Sequence, residues 1–525
     1  MTGNKFLAFI LIINFSFNYC RAYNVLLATM GGTKSHTVPF VALGTALRIR
    51  GHNVTLVSAF PGPAANNGLR ELIPSIFEAY VGNYTAEWDL VGSRFRNELP
   101  LSPWDAMRYG WESCEALLRD ESSVAALRHP ESNDNYESNT WDVAILDGAF
   151  PECLLGILHG ENIPTIMLNT VALYGGSISR QGNPTLWSLT SYFGKGYTQE
   201  MNFFQRIINV GCLATLEVMH WIMTTGFLQP TLRKYLGDQV PDVRELISEV
   251  SLTFQNSHYS VAESIPYLPN VVNVACLHCR PAMELSPDLE SFLRKGFIFV
   301  SMGSSVRAAG MPDTLREIFI AAFSTLPFNV IWKWEGSKIN NLPSNIRTGA
   351  WWPQQELLGH PQLRAFVSHG GLLSLHEAAY HAAPTLVLPV FCDHDGNAAQ
   401  AEKLGYALVM NLASLSINEL HEAILKVAAK RNNPYKEAAR RRSILLKDQP
   451  LGSNEVATWW VEHVAKHRGA DHLKSPTRFM GVFRYYSVDV LAFYAAVIFI
   501  MIQVFHKLLR RSFIKHSLII KGKID

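Results

Sequence analysis

The chain has 525 residues, more than a single hydrophobic core usually supports, so we expect two domains with additional segments. Lysine and arginine (46) nearly balance aspartate and glutamate (44), and the body of the chain contains no basic stripe with interleaved aromatic residues. The composition therefore argues against nucleic acid as a partner.

Apolar segments lie at both ends of the chain. Residues 1–22, MTGNKFLAFILIINFSFNYCRA, are typical of a secretory signal peptide that is cleaved after Ala22. Residues 490–505 carry no charge and, with the tyrosines before them, predict one transmembrane helix over residues 485–505. The basic tail, residues 506–525, predicts a cytosolic C-terminus, a lumenal body and hence a type I membrane protein.

Two further features bear on location. The last five residues, KGKID, place Lys521 and Lys523 as in the dilysine signal that retrieves membrane proteins to the endoplasmic reticulum, although an ordinary basic anchor is the alternative. Two N-glycosylation sequons fit a lumenal body. Asn83 lies in a polar stretch and is the better candidate, whereas Asn53 begins an apolar run and is expected to be shielded at a strand edge.

The cysteines do not reveal a disulfide framework. Six remain once the leader is removed, and a lumenal setting permits disulfides, but their spacing is scattered over a long chain. Cys276 and Cys279 form a lone CLHC motif that lacks both a second ligand pair for zinc and the usual context of a redox pair. Structural or free thiols are therefore favoured, and no metal site is predicted.

The elements from Tyr23 onward predict a parallel, doubly wound sheet, which we assign to an N-terminal domain over residues 23–281. NVLLATM is typical of a buried strand, VPFVALGTALRIRG of a helix ended by Gly51, and NVTLVSAF of the next strand. WDVAILDGA and IPTIMLNT continue this βαβ series. Residues 174–264 are rich in aromatic residues and predict helices. Their apolar faces fit ordinary helix packing, the wall of an apolar pocket or contact with a membrane.

A second alternation of strands and helices follows the proline-containing stretch CRPAMELSP. GFIFVSMGSS, FNVIWKWE, LRAFVSHGG and TLVLPVF predict strands, with helices LREIFIAAFSTLP and HEAAYHAAP among them. We therefore predict a second doubly wound domain over residues 282–445, followed by helices in residues 446–484 that pack back towards the first domain. Because such sheets bind ligands outside the carboxyl ends of their strands, the cleft between two facing domains is the expected site.

The first strand runs into the stretch LLATMGGTKSHTVPF, residues 26–40, which matches neither nucleotide fingerprint in its spacing and is not a phosphate loop. His36 lies at the carboxyl end of that strand, where a neutral imidazole could act as a general base. Asp147 ends a neighbouring strand, and an aspartate beside a histidine raises its basicity and selects its tautomer. The alternatives are a His36 that is merely hydrogen bonded and an Asp147 that caps the following helix.

Residues 349–405 hold the most specific pattern. They combine two tryptophans and a glutamine, a His-Gly-Gly at a strand-to-helix turn, a glutamate within that helix, and an acidic cluster after the next strand. A helix N-terminus of this kind, with free backbone N–H groups, suits a pyrophosphate. Ser374 and Glu377 lie three residues apart, on one face of the helix.

This segment resembles the signature of the UDP-glycosyltransferases, the family of animal UDP-glucuronosyltransferases and insect UDP-glucosyltransferases, and HGGLLS is most similar to the insect enzymes. SH followed by RGHNVT, then MNFFQR, NSHYS, HRGADHL and the terminal anchor are similar to further family landmarks, so the resemblance covers nearly the whole chain. It implies an α/β fold of the GT-B type, two facing Rossmann-like domains with a C-terminal transmembrane helix. The acceptor would bind mainly to the first domain and the UDP-sugar mainly to the second.

The resemblance also implies roles for the matched residues of the second domain. Trp351 would stack on uracil, Gln354 would bond to its edge, and Glu377 would hold the ribose hydroxyls. The other residues assigned to the UDP-sugar site are Ser304, His369, Gly370, Gly371 and Ser374 on the phosphate side, and Asp393 and His394 facing the sugar. For Trp351 and Trp352 the alternative is core packing, since only one of the two matches the motif.

His36 matches the catalytic base of the family because its spacing to RGH, residues 50–52, is the family's spacing, and Asp147 matches the partner aspartate. The resemblance implies that His36 takes the proton of an acceptor hydroxyl, whose oxygen then attacks the anomeric carbon as UDP leaves. A single displacement inverts that carbon and yields a β-glycoside from an α-linked donor. The UDP-sugar is a co-substrate, and no cofactor is implied.

Several positions depart from the family pattern. MGGTK precedes the base in place of a turn with proline or an aromatic residue, Cys153 stands one position late, and Leu372 and Leu373 replace threonine and asparagine, so phosphate contacts must fall to the backbone. His394 stands where glutamine usually follows the aspartate, and the two side chains offer different hydrogen bonds to a sugar. We expect UDP-glucose first, UDP-galactose second and UDP-glucuronate third, with a small lipophilic alcohol as acceptor.

Two other functions compete with this interpretation. One is a metal-dependent enzyme of the other glycosyltransferase fold, because the sequence DHD, residues 393–395, is similar to the D-x-D metal site of that fold. A non-catalytic carrier of lipophilic molecules would use the greasy first domain and would need no base. Oligomeric state is left open, and a homo-oligomer is compatible with the sequence.

Overall fold

The computed structural model describes residues 22–62, 64–130, 139–170 and 175–521. The chain divides into two units, residues 1–474 and 475–525. The predicted leader, residues 1–21, and Lys523 near the end of the tail lie outside the described residues.

The first part of unit one is built on a parallel sheet with the strand order β3-β2-β1-β4-β5-β6-β7. Its strands are β1 (Asn24–Ala28), β2 (Asn53–Val57), β3 (Arg70–Leu72), β4 (Val143–Asp147), β5 (Thr165–Asn169), β6 (Leu252–Gln255) and β7 (Val271–Asn273). The helices among them are α1 (Thr37–Ile49), α2 (Ser75–Ala86), α3 (Leu90–Phe95), α4 (Pro103–Leu118), α5 (Glu121–Arg128), α6 (Pro151–Leu158), α7 (Gly175–Arg180), α8 (Phe203–Ile222), α9 (Gln229–Leu236) and α10 (Val243–Glu249).

The second part carries a parallel sheet with the order β10-β9-β8-β11-β12-β13. Its strands are β8 (Phe297–Ser301), β9 (Asn329–Lys333), β10 (Ile346–Gly349), β11 (Leu363–Ser368), β12 (Thr385–Val387) and β13 (Ala407–Val409). The helices are α11 (Pro287–Leu293), α12 (Asp313–Ser324), α13 (Gln354–Gly359), α14 (Leu372–Tyr380), α15 (His394–Lys403), α16 (Ile417–Val427), α17 (Pro434–Lys447) and α18 (Ser453–His467).

Burial on both faces explains why the central strands are continuous apolar runs. Along β1, Val25 and Leu27 pack into one hydrophobic cluster while Leu26 and Ala28 pack into another on the opposite face. Parallel sheets covered by helices on both sides need this pattern, since successive side chains of a strand point to opposite faces.

Two segments cross between the halves of unit one. Ala457 and Val461 of α18 are buried in the cluster that contains Val25, so the chain returns to the first sheet. In the other direction, Leu90 and Val91 of α3 are buried in the core of the second half. The first crossing is made by α18, which lies within residues 446–484, and no sequence pattern indicated the second crossing.

Unit two contains α19 (Val482–Tyr485) and the long helix α20 (Val488–Lys521). Ser487 has a left-handed backbone, with φ of 53°, and separates the two. Residues 488–514 of α20, with a mean hydropathy of 2.3, are long and apolar enough to cross a membrane. This candidate span begins three residues after the predicted start at residue 485, because the helix breaks at Ser487.

Candidate active site

Each sheet reverses its strand order once, between β1 and β4 in the first and between β8 and β11 in the second. Ligands of open α/β sheets bind outside the carboxyl ends of the strands at such points. A cavity of about 610 Å³, the large cavity, lies here and draws its lining from both sheets. Among the residues predicted for the site it is lined by His36, Ser304, Trp351, Gln354, His369, Gly371, Ser374, Glu377, Asp393 and His394.

His36 sits in a 3₁₀ turn between β1 and α1, and its Nδ1 lies 2.8 Å from Oδ2 of Asp147, the last residue of β4. Asp147 is fully buried, and its two oxygens also accept hydrogen bonds from the backbone N–H groups of Gly31 and Ala149, each at 3.1 Å. Because an ionised carboxylate only accepts, the ring proton belongs on Nδ1. This leaves the lone pair on Nε2.

Thr170 is a third member of this group and was absent from the sequence-based prediction. Its hydroxyl lies 2.8 Å from His36 Nδ1 and 3.4 Å from Asp147 Oδ1, a position from which it can donate to the carboxylate. A signal was present, since Thr170 directly follows β5, the neighbour of β4, and so reaches the same edge of the sheet.

The electrostatic surroundings make His36 more basic than an ordinary histidine. Burial disfavours the imidazolium and lowers its pKa, but the charge of Asp147, the hydrogen bond to it and the charge of Asp393 outweigh burial. The net result is a pKa above the usual 6.5.

In the turn from β11 into α14, neighbouring residues lie so close to the backbone that two positions have little room for a side chain. Gly370 has φ of 90°, and a Cβ there would lie 3.0 Å from the carbonyl oxygen of His394. A Cβ on Gly371 would lie 2.4 Å from His369 Nε2. The first turn of α14 lines the large cavity and has no side-chain cap, an arrangement suited to an anion.

His369 is buried, and burial together with the charge of Lys333 lowers its pKa to about 3. It is therefore neutral at physiological pH and can only hydrogen bond to a phosphate, without forming an ion pair with it. Ser304 is exposed in the neighbouring turn after β8.

The two tryptophans after β10 have different environments. Trp351 lines the large cavity with 70% of its surface exposed, and Lys333 Nζ lies 5.4 Å from its ring centre. Trp352 packs against the core beside β8, and its Nε1 donates to the carbonyl of Trp332 at 3.3 Å. Only Trp351 therefore offers a large open face on which a flat ring can stack.

A hydrogen-bonded group joins α13 to α14. The side-chain Nε2 of Gln354 donates to Ser374 Oγ at 3.1 Å and to Glu377 Oε2 at 2.7 Å. The other oxygen of Glu377 lies 3.2 Å from His278 Nε2, a residue that sequence patterns did not single out because it lies in the connection between the two halves.

The two aspartates after β12 interact with different side chains. Asp393 is buried and accepts a 2.6 Å hydrogen bond from Asn397, while Asp395 pairs with Arg94 at 2.5 Å. His394, between them, is buried with a pKa well below 6.5 because of burial and then the nearby His369 and Arg94. In the described part of the chain, no three histidine, cysteine, aspartate or glutamate side chains are grouped to hold a metal ion.

A second cavity of about 280 Å³, the aromatic cavity, adjoins the large one. Both are lined by His36 and Asp393. Leu216 of α8 and Arg94 of α3 contribute to its lining, and its aromatic wall consists of Tyr84, Trp88, Tyr109, Phe150, Tyr192 and Phe391. His36 thus lies where the large cavity, with its many polar side chains, meets the more apolar aromatic cavity.

The family model described as UDP-glucoronosyl and UDP-glucosyl transferase matches residues 35–523. The chain belongs to this family. It is therefore a UDP-glycosyltransferase, as the sequence motifs predicted, and an enzyme in place of a lipophile carrier.

Relatives of this UDP-glycosyltransferase act on different sugars. It is 29% identical to UDP-glucosyltransferase 2 of Dactylopius coccus over 86% of each chain. Identity to UDP-glucuronosyltransferase 2C1 of Oryctolagus cuniculus is 29%, over 87% of this chain and 92% of that one. Identity to 2-hydroxyacylsphingosine 1-beta-galactosyltransferase of Mus musculus is 26%, over 90% and 85%.

Solved structures identify the fold of the UDP-glycosyltransferase as GT-B, as predicted. CalG4, the calicheamicin glycosyltransferase, covers 85% of this chain and 99% of its own, with a TM-score of 0.55 and 18% identity. LpCGTa in complex with UDP gives 0.52 and 15% identity over 85% of this chain and 99% of its own.

The structure also shows the states of the cysteines and of the two N-glycosylation sequons. The structure joins Cys114 of α4 to Cys153 of α6, a disulfide that spacing alone did not reveal, while Cys276 and Cys279 are free thiols. Asn83 is exposed on α2, whereas Asn53 is half-buried on β2 and its amide donates to Asn24 at 3.1 Å.

Proposed function

We propose that this enzyme is an inverting hexosyltransferase in which His36 is the general base and Asp147 its partner. The observation that carries the proposal is the position of His36, which lines both the large cavity and the aromatic cavity while its Nδ1 is held by Asp147. A hydroxyl from the apolar side and a UDP-sugar from the polar side would meet at this residue.

The proposed reaction is a single displacement at the anomeric carbon. Nε2 of His36 takes the proton of the acceptor hydroxyl, and the oxygen forms a bond to the anomeric carbon on the face opposite the phosphate. The bond from that carbon to the UDP oxygen breaks, and UDP leaves with the electron pair. Asp147 stabilises the imidazolium that has formed.

On the donor side, the proposal assigns the uracil to the open face of Trp351 and the ribose to Glu377, which Gln354 orients by a hydrogen bond. The pyrophosphate would lie at the uncapped N-terminus of α14, beside neutral His369 and near exposed Ser304. No cofactor and no metal takes part in this scheme.

The charges around the two cavities favour a neutral sugar. Three lysine or arginine residues line the cavities within the described chain, and each is already paired: Arg94 with Asp395, Arg280 with Glu356, and Lys333 with Glu335. The carboxylate of glucuronate would need a cation of its own. A neutral hexose needs none.

We propose UDP-glucose as the donor, supported by the Dactylopius UDP-glucosyltransferase among the relatives. UDP-galactose is the second candidate, because His394 replaces the usual glutamine and a galactosyltransferase is also among the relatives. The acceptor would be a small lipophilic alcohol, since the aromatic cavity is lined mainly by apolar side chains.

A donor competition tests this proposal. Microsomes containing the full chain receive equal amounts of UDP-glucuronate, UDP-galactose and UDP-glucose whose sugar is labelled with carbon-13, together with a panel of phenols, sterols and sphingoid bases. The label separates the two hexosides by mass. We expect labelled glucosides to dominate; a preference for galactose of about tenfold or more would overturn glucose as the donor.

The same assay with His394→Gln tests the sugar contact. Replacing a rigid ring by a flexible amide changes the hydrogen bonds offered to the sugar hydroxyls, so the ratio of glucoside to galactoside should change. An unchanged ratio would remove His394 from sugar selection.

We also propose a location in the endoplasmic reticulum membrane, with α20 as a single type I anchor and the catalytic unit in the lumen. The apolar residues 488–514 and the Cys114–Cys153 disulfide support it, because disulfides persist in oxidising compartments.

A further inference from the structure

A third cavity, of about 170 Å³, lies where the two halves of unit one meet, and is here called the junction cavity. The first half lines it with residues from α7, from α8, from the segment between these helices and from the connection between β6 and β7. From the second half, α14 and α15 contribute Leu372, Leu375, His376, Gly396, Asn397 and Gln400. The proposed reaction does not use this space.

The lining of the junction cavity is mainly apolar. Its large apolar side chains include Ile178, Trp187, Leu189, Leu213, Val261 and Ile265. An apolar cavity of roughly 150 Å³ can hold a benzene molecule, so this volume accommodates a chain of about six carbon atoms. Size and lining therefore fit part of a hydrocarbon ligand.

The residues of this lining that could carry a charge near neutral pH are paired or neutral. Glu263 lies 3.0 Å from Lys403 Nζ, and Glu217 lies 3.7 Å from the guanidinium of Arg180. His376 is buried, and burial together with two nearby histidines lowers its pKa to about 3, so its ring is uncharged. An uncharged chain can thus enter the cavity without desolvating an unpaired charge.

The junction cavity and the aromatic cavity share a wall. Leu216 of α8 lines both of them. Before α8, Ser191 lines the junction cavity and the next residue, Tyr192, lines the aromatic cavity. At the start of α15, Gly396 and Asp395 are divided in the same way. Because three separate segments place the same residue or adjacent residues on both sides, the wall is a single layer of residues.

We propose that the junction cavity receives the hydrocarbon tail of an amphipathic acceptor whose hydroxyl lies at His36, so that long-chain alcohols are preferred acceptors. This inference rests on the proposed function, which places that hydroxyl in the aromatic cavity. Rotation of the Leu216 side chain opens a path between the two cavities. Each methylene group buried there raises affinity by up to about fourfold.

The tail enters from the aromatic side. The large cavity also touches the junction cavity, and Leu372 is the one described residue that lines both. However, the large cavity is assigned to the UDP-sugar, whose pyrophosphate is proposed to lie beside the first turn of α14. A bound donor therefore closes that route to an apolar chain.

Photolabelling with two alcohols tests the proposal. The wild-type full chain in phospholipid nanodiscs is saturated with UDP and incubated with dodecanol or butanol, each carrying a diazirine beside the terminal methyl group. After irradiation, labelled residues are identified by mass spectrometry. We expect the dodecanol probe to label residues 261–267, Leu375 and His376 of the junction cavity. The butanol probe should label the aromatic cavity, at residues 99–109, and leave the junction cavity unlabelled.

The outcomes separate this inference from the proposed function. Dodecanol labelling confined to residues 99–109 would overturn the tail site and leave the acceptor site in place. Labelling of the junction cavity by butanol as well would also overturn it, because the cavity would then be an independent site for small apolar molecules. Labelling of neither cavity by either probe would contradict the proposed acceptor site too.

Two variants that fill the junction cavity from different elements provide a second test. Leu213→Trp on α8 and Ala262→Phe after β6 each place a larger side chain in the cavity, and neither residue lines the aromatic cavity. Each should remove dodecanol labelling of the junction cavity and leave butanol labelling of residues 99–109 unchanged. Melting temperatures identify a variant that has lost its fold, and the other filler then decides.

Kinetics test the preference for long chains. With the UDP-sugar selected by the donor competition, kcat/KM from UDP release should be higher for dodecanol than for butanol in the wild type. Both fillers should lower this ratio by about tenfold or more. Leu425→Trp, at a 37% exposed position on α16 outside the three cavities, is the control and should keep the wild-type ratio. Fillers that match this control in ratio and labelling would overturn the proposal.

Discussion

At the scale of single residues, the proposed chemistry depends on which nitrogen of His36 carries the proton. His36 Nδ1 lies 2.8 Å from Asp147 Oδ2 and 2.8 Å from the hydroxyl of Thr170, and the buried carboxylate holds the proton on Nδ1. Nε2 is then the atom left to accept a proton from a substrate.

Replacing His36 by alanine removes that acceptor. Turnover should fall by about 10² to 10⁴, the usual contribution of a positioned base, while UDP still binds to the second half of the unit. Steady-state rates and UDP titration by calorimetry measure the two effects. His159→Ala, an exposed histidine at the end of α6, is the control and should be fully active. Near-normal turnover of His36→Ala would remove this residue from the mechanism.

The pH profile gives an independent test. Since the pKa of His36 is raised, the neutral form that can act as a base is lost as the pH falls through a value above 6.5, and kcat/KM should fall with it. Asp147→Asn removes the charge and leaves burial, which lowers the pKa. The acidic limb should therefore move to lower pH in this variant while the maximum rate drops. A limb that stays in place would mean that another group titrates.

At the scale of elements, the proposed donor site depends on how β11 turns into α14. The sequence HGG indicated a glycine turn, and the structure shows why the residues must be small: Gly370 is left-handed, and its Cα faces the carbonyl of His394 at the start of α15. The turn thus brings the N-terminus of α14, proposed for the pyrophosphate, close to the start of α15, proposed for the sugar.

Gly370→Ala should weaken UDP binding. A left-handed alanine costs about 1–2 kcal/mol, and relieving the contact with His394 would displace the site, so we expect roughly a tenfold loss of affinity. Gly405→Ala is the matched control, since Gly405 is also left-handed, at 81°, but its nearest neighbour is Ala438, away from both cavities. It should lose stability without losing UDP affinity. Equal calorimetric affinities of the two variants would contradict this role of Gly370.

At the scale of the whole molecule, the proposed anchor α20 and the Cys114–Cys153 disulfide both support a location of unit one in the lumen. Protease added outside intact microsomes should remove only residues beyond the span, and digestion of the body would contradict the lumenal orientation.

Replacing Lys521 and Lys523 by serine should release protein to the cell surface. Continued retention would show that another part of the chain acts as the retrieval signal.

The sequence by itself determined the fold class and the family, and it predicted most of the polar residues that line the large cavity. Each of these is local: strands show as apolar runs, and His36, Asp147 and the HGG turn stand directly after strands, so parallel topology brings them to one edge. The left-handed turn at Gly370 could be anticipated from its glycines for the same reason.

Only the tertiary structure decided contacts between segments distant in the chain. Thr170 joins His36 from another strand, Arg94 reaches Asp395 across the two halves, and Cys114 pairs with Cys153. The periodicity of a sequence reports which face of an element is buried, but not what it is buried against. For the same reason, the aromatic-rich helix α8 was compatible with packing, a pocket wall or membrane contact, until the structure showed one face fixed by Asn209 and the other left open.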